Sequence, residues 1–125
     1  MKFNHQALLV NDLNKSGNFY KDILGLEEIS VGASQSPPKR WFKIKGEMEI
    51  HLISTKKKLK PIPKGVHMAF SVEKFDLFID NLTKNQVKYS NWIGNENKVK
   101  IRKDGYKQIF FQYPQIYWLE VNNIN

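Results

Sequence analysis

The sequence predicts an α+β chain made of two pseudo-symmetric βαβββ modules. Three observations carry this. His5-Gln6-Ala7-Leu8-Leu9-Val10 reappears 62 residues later as His67-Met68-Ala69-Phe70-Ser71-Val72, both of the form His-x-Ala-x-x-Val. Each copy is followed by a helix-like stretch and then by strand-like ones. Between them, residues 42–52 alternate strictly between apolar and polar side chains.

In the first module, residues 3–10 are apolar enough for a strand. Asp12 is placed to cap a helix over about Leu13–Leu24, whose buried side carries Leu13, Tyr20 and Leu24, with Phe19 and Ile23 alongside. Gly17 weakens that helix, and Gly25 falls where a C-terminal cap belongs. A short strand is expected over Leu26–Val31, and residues 32–40 read as a loop. Then Phe42, Ile44, Met48, Ile50 and Leu52 share one face, Lys43, Lys45, Glu47, Glu49 and His51 the other, with a hairpin at Gly46.

The Lys-rich stretch around 56–64, with Pro61 and Pro63, is a solvated connector between modules of about 1–55 and 65–125, all within one domain, 1–125. In the second module the expected elements are a strand over 66–72, a helix over Lys74–Asn85 and a strand over Val87–Trp92. The helix carries Phe75, Phe78, Ile79 and Leu82 on its apolar side. Strands over Val99–Arg102, Gln108–Gln112 and Ile116–Val121 follow, with a turn at Asp104-Gly105.

Composition narrows the function. The chain has 125 residues and a formal net charge of +8, but 18 of its 20 basic residues are Lys. Bidentate phosphate contacts favour Arg, and the abundance of Lys together with Asn and Ile reads as coding bias, so nucleic acid is not the expected partner. The absence of cysteine excludes disulfides, thiolate zinc sites and a cysteine nucleophile. No apolar run suits a signal peptide or a membrane span, so a cytoplasmic protein is expected.

All three histidines fall in strand-like segments. His5 and His67 occupy the same place in the two copies, and His51 in Ile50-His51-Leu52 matches Glu120 in Leu119-Glu120-Val121. The four form a candidate metal-ligand set if the halves bring them to one cleft. Three imidazoles and a carboxylate suit Zn, Ni, Fe or Mn, and two imidazoles with Glu120 make a facial triad. The bland alternative is a set of structural strand histidines and an edge carboxylate. Trp41, Trp92 and Trp118 are open to stacking on a ligand, although strand tryptophans more often fill cores.

The motif His5-x-x-Leu8-x-Val10-x-Asp12-Leu13-x-x-Ser16-x-x-Phe19-Tyr20-x-x-x-Leu24-Gly25-Leu26 resembles the opening of the vicinal-oxygen-chelate superfamily, the glyoxalase/bleomycin-resistance/extradiol-dioxygenase group. Ile50-His51-Leu52, His67-Met68-Ala69-Phe70-x-Val72, Gln108-Ile109-Phe110-Phe111 and Tyr117-Trp118-Leu119-Glu120-Val121 resemble its later motifs. The resemblance implies a cup-shaped mixed sheet around a divalent metal and a homodimer. His5, His51, His67 and Glu120 would be the ligands, with Glu120 also the catalytic base. It departs from the family at Tyr113-Pro114-Gln115-Ile116, where an Asp-Pro-Asp-Gly turn is usual, and at His51, where glyoxalase I enzymes carry a carboxylate.

What this implies is a metal-dependent glyoxalase-like enzyme acting on a small substrate with two adjacent oxygens, such as a lactoylglutathione-lyase-type isomerase that stabilises a developing enediolate. Arg40 and Arg102 are candidates to meet an anionic substrate. The alternatives are thiol transfer or dioxygenase chemistry on the same cup, or a non-catalytic drug-binding resistance module.

Overall fold

The computed structural model describes residues 1–32 and 36–124. The fold is α+β, and the chain divides into two compact units, Met1–Lys60 and Pro61–Asn125, a boundary inside the expected connector. No helix among the described residues is long and apolar enough to cross a membrane. Residues 33–35 of the expected 32–40 loop lie outside the described residues.

In the first unit, β1 (His5–Val10) leads to α1 (Leu13–Asn18), with β2 (Glu27–Ile29), β3 (Lys39–Lys43) and β4 (Glu49–Ser54) following. The Asp12 side chain accepts from the Lys15 amide at 2.9 Å and so caps α1. The expected single helix is corrected: after Asn18 it widens into a π turn, Phe19–Ile23, closed by Leu24 N–H to the Phe19 carbonyl. This wider turn goes with the near-complete burial of both Phe19 and Tyr20, adjacent residues that a regular helix sets 100° apart. Gly25 (φ 71°) ends it in the left-handed conformation that favours glycine.

The strand order is β1-β4-β3-β2, with β1 and β4 parallel and the other pairs antiparallel. The β1–β4 register sets Ala7 opposite His51, and that of β3–β4 sets Trp41 opposite His51. Strand alternation then puts Leu8, Val10, Phe42, Ile50 and Leu52 on the buried face, each at most 5% exposed. Strand β3 begins at Lys39, inside the expected loop.

In the second unit, β5 (His67–Ser71) leads to α2 (Phe75–Lys84), with β6 (Lys100–Ile101), β7 (Lys107–Gln112) and β8 (Trp118–Asn122) following. The order β5-β8-β7-β6 repeats that of the first sheet, with β5 and β8 the parallel pair. Here Ala69 faces Glu120 and Phe110 faces Glu120. The proposed correspondences therefore hold in the hydrogen-bonded register: His5 matches His67, and His51 matches Glu120. Ile109, Phe111, Leu119 and Val121 are buried on one face of this sheet, with Phe78 of α2 6.4 Å from Phe111.

The expected strand over Val87–Trp92 is a correction. Only Ser90 bridges, to Phe110 on one side and Glu96 on the other. Beyond it the chain turns, with the Asn95 amide donating to the Asn91 side chain and Asn97 at φ 58°. The neighbouring part of that edge of β7 is already paired with β6 through Gln108 and Lys107. The run thus forms a loop that presents Trp92, half-exposed at 50%, instead of extending the sheet.

Candidate functional site

On the second sheet, alternation sends Leu119 and Val121 to the core and leaves Glu120 on the opposite face with Phe110 and Gln108. His67, on the neighbouring parallel strand, completes this face. Its Nε2 lies 3.2 Å from Glu120 Oε2, and its Nδ1 lies 2.9 Å from the Lys64 carbonyl oxygen. A carbonyl only accepts, so Nδ1 carries the proton and donates, which assigns the tautomer and aims Nε2 at the carboxylate. Two lone-pair atoms at that separation need a proton or a cation between them. The donor set of one imidazole nitrogen and one carboxylate therefore fits a divalent metal such as Zn, Ni, Fe or Mn.

Glu120 is only 9% exposed, and its other oxygen accepts from Asn122 Nδ2 at 2.9 Å. Asn122 is itself held, its Oδ1 accepting from Ser71 Oγ at 3.0 Å and from the Ile124 amide at 3.1 Å. The carboxylate is thus fixed by one oxygen and offered by the other, the arrangement expected of a partner that orients a metal ligand. Sequence reasoning missed Asn122, although its position two residues after Glu120 on one strand is the signal.

His67 and Glu120 border a cavity of about 490 Å³, with Phe110, Trp92, Gln108 and Lys100 among its walls. Phe110 and Trp92 meet edge to face at 5.4 Å, and His67 lies 5.4 Å from Phe110 in the same manner. Beside them Lys64 Nζ donates to the Asn91 and Trp92 carbonyls, both at 2.7 Å, and lies 4.9–5.6 Å from the ring centres of Trp92, Phe110 and Trp118. Burial lowers the pKa of its ammonium. The Lys-rich connector thus contributes one structural cation: the Lys64 side chain pins the loop, and its carbonyl pins His67.

The corresponding place in the first unit is built differently. The His51 ring is stacked between Trp41 at 3.9 Å and His5 at 4.2 Å. Its Nε2 lies 2.6 Å from Glu49 Oε2. Glu49 therefore accepts the Nε2 proton and orients the ring, leaving Nδ1 as the lone-pair nitrogen of His51. The His5 Nδ1 lies 2.7 Å from the Asn4 Oδ1, which makes Nδ1 the donor and leaves Nε2 open. The Trp41 Nε1 is buried without an acceptor among the described residues. Among the described residues, no three His, Asp or Glu side chains are grouped to hold a metal.

The two arginines are engaged. Arg40 makes a two-pronged bond to Glu28, Nε to Oε1 at 2.7 Å and Nη2 to Oε2 at 2.8 Å, and its Nη1 reaches Asn18 Oδ1 at 3.2 Å. These bonds hold the Glu28 carboxyl below, and the Arg40 guanidinium above, the usual range. Gly17 makes the arrangement possible, because a Cβ there would lie 2.1 Å from Arg40 Nη1. Arg40 is thereby committed to joining α1 to the sheet. Arg102 pairs with Asp104 at 2.8 Å at the β6–β7 turn.

Comparison with known proteins agrees with this architecture. The family model described as Glyoxalase/Bleomycin resistance protein/Dioxygenase superfamily matches residues 2–97. A search of the curated proteins finds no match. Among solved structures, the oxidase ChaP-H2 superposes with a TM-score of 0.80 at 20% identity, covering 100% of this chain and 94% of that one. The fosfomycin resistance protein FosX from Listeria monocytogenes gives 0.75 at 22% identity, covering 98% and 92%. A lactoylglutathione lyase from Agrobacterium tumefaciens gives 0.67 at 19%, covering 97% and 92%. At such identities these likenesses speak to the fold alone.

Proposed function

Because the chain belongs to the Glyoxalase/Bleomycin resistance protein/Dioxygenase superfamily, we propose that it is a metal-dependent enzyme acting on a small oxygenated substrate in the cavity beside His67 and Glu120. The observation that carries this reading is the His67–Glu120 pair, whose Nε2 and Oε2 face each other at 3.2 Å with both groups oriented from behind.

His67 Nε2 and the Glu120 carboxylate are the proposed ligands from the second unit. In the first unit His5, with Nε2 open, and His51, held by Glu49 through its Nε2, are the other proposed ligands. A divalent metal bound there supplies Lewis-acid polarisation of substrate oxygens. The protein's own part is to hold and move a proton. Glu120, detached as a ligand, would take it at Oε2 while Asn122 keeps Oε1 in place, and the Trp92–Phe110 wall excludes water from one side of the reacting group.

The test is a metal titration of the purified protein with Zn, Ni, Mn and Fe(II), followed by an assay on the hemithioacetal of methylglyoxal and on an epoxide with a thiol donor. Uptake of about one metal per His67–Glu120 pair, lost in His67→Ala, supports the reading. No uptake of any of the four metals overturns it. Tight ligand binding without metal would instead favour a drug-binding module.

A further inference from the structure

The cavity's unused groups describe its ligand. Four features matter, and all lie in the second unit. Trp92 and Phe110 form an aromatic corner, their centres 5.4 Å apart and 69° between planes, closed by the edge of His67. Ile93, 79% exposed, adds a further apolar wall. The Lys100 ammonium lines the same cavity and has no carboxylate partner among the described residues. Gln108 pairs with Lys100 in the β6–β7 ladder, and its side-chain amide is likewise uncommitted among the described residues.

Register sets the spacing. Lys100 and Gln108 are one rung of the sheet; Phe110 and Glu120 are the next rung on the same face, two residues along β7. That step is about 7 Å. A ligand reaching from one rung to the other meets a cation and an amide at one end, the His67–Glu120 pair at the other, and aromatic walls between. The polarity is sorted: the uncommitted cation is on one rung, and the carboxylate of the next is already engaged by His67 and Asn122.

We propose that this cavity takes a flat aromatic acid, its ring packed in the Trp92–Phe110 corner and its anionic group at Lys100 and Gln108. The proposal rests on the reading that this cavity is the reaction site, and it names the class of substrate that site accepts. The ring supplies burial against the two aromatic faces; the acid supplies orientation, presenting the opposite edge of the ring to His67 and Glu120.

The experiment uses three probes on the chelator-treated protein: benzoate, neutral benzamide and non-aromatic cyclohexanecarboxylate, followed by calorimetry and by the indole N–H resonance of Trp92, identified with Trp92→Phe. Benzoate is expected to bind with a Kd on the order of 1 mM or below. Benzamide and cyclohexanecarboxylate should each bind about threefold weaker or worse, and the Trp92 resonance should shift with benzoate. Lys100→Glu should weaken benzoate about tenfold and leave benzamide unchanged; the site is an exposed two-residue strand, so folding is not at stake. Absence of saturable benzoate binding overturns the proposal, as does equal binding of benzoate and benzamide or an unchanged benzoate affinity in Lys100→Glu. A parallel metal titration separates the two claims. Metal uptake without benzoate binding sinks the ligand class alone, whereas benzoate binding without metal uptake sinks the metal reading alone.

Discussion

The Glu120 carboxylate faces the one nitrogen of His67 that is left free by the Lys64 carbonyl. Each member of the pair is held on its far side, Glu120 by Asn122 and His67 by backbone, so the pair is organised before anything binds between them. On the proposed metal reading, removing either member should weaken metal binding sharply. His67→Ala and Glu120→Gln are expected to lower metal affinity by more than about a hundredfold, read by calorimetry with metal content as a check. An unchanged affinity in both variants would refute the assignment.

In the proposed metal site Asn122 would act only through Glu120. Asn122→Ala should lower metal affinity by about 10–100-fold. It also strips a buried acceptor oxygen of its donor, at a cost of about 1–3 kcal/mol in a denaturant titration. Asn122→Asp, which keeps the shape but places a second carboxylate beside Glu120, should not restore the affinity.

Gly17 and Arg40 make a sign-reversal test. Gly to Ala in a helix is ordinarily stabilising by up to about 1 kcal/mol. Here the new methyl would lie 2.1 Å from the Arg40 guanidinium, so Gly17→Ala should destabilise. In an Arg40→Ala background the same substitution should stabilise by about 0.5–1 kcal/mol. Additive effects in urea denaturation would show that the contact carries no energy.

The Arg40–Glu28 pair also predicts an acid response. Arg40 lowers the folded-state pKa of Glu28, so the unfolded chain binds the proton more readily. The stabilisation is then complete above the unfolded carboxylate value, about 4.3, and is lost as the pH falls through the lower folded value. Glu28→Gln should remove about 1 kcal/mol at neutral pH, given the pair's partial exposure, and should flatten the acid limb of the stability profile. A parallel profile for the two proteins would contradict this.

Lys64 offers the last test. Lys64→Met keeps much of the apolar contact but removes the ammonium donor from the Asn91 and Trp92 carbonyls, leaving Asn91 its bonds from the Ser90 hydroxyl and the Gly94 amide. The expected result is a loss of about 1 kcal/mol in stability, with faster amide exchange across residues 91–95. Unchanged exchange there would mean that the loop holds its place without the cation.

The repeat and the strand alternation made the correspondence of His5 with His67 and of His51 with Glu120 readable, because the period of two fixes which side chains share a face before any pairing is known. The parallel pairing of the first and last strand of each unit then carried that correspondence into three dimensions. Other features depend on contacts that sequence spacing does not contain. The role of Arg40 is set by Glu28, twelve positions earlier, and by the bare Cα of Gly17. The run at 87–92 has strand-like composition, yet only Ser90 pairs, because β6 pairs with the neighbouring residues of β7. Glu49 was read only as part of a polar face, and its bond to His51 distinguishes the first unit's pair from the second's.

The matched registers have one more consequence. Ala7 opposite His51 and Ala69 opposite Glu120 are the same address in two copies of one blueprint, furnished differently. A single substitution, His51→Glu, would install in the first copy the carboxylate that the second copy has, with His5 in the place of His67, while breaking the stack on Trp41. The two units thus differ at this address in one side chain, with the strands that carry it drawn alike.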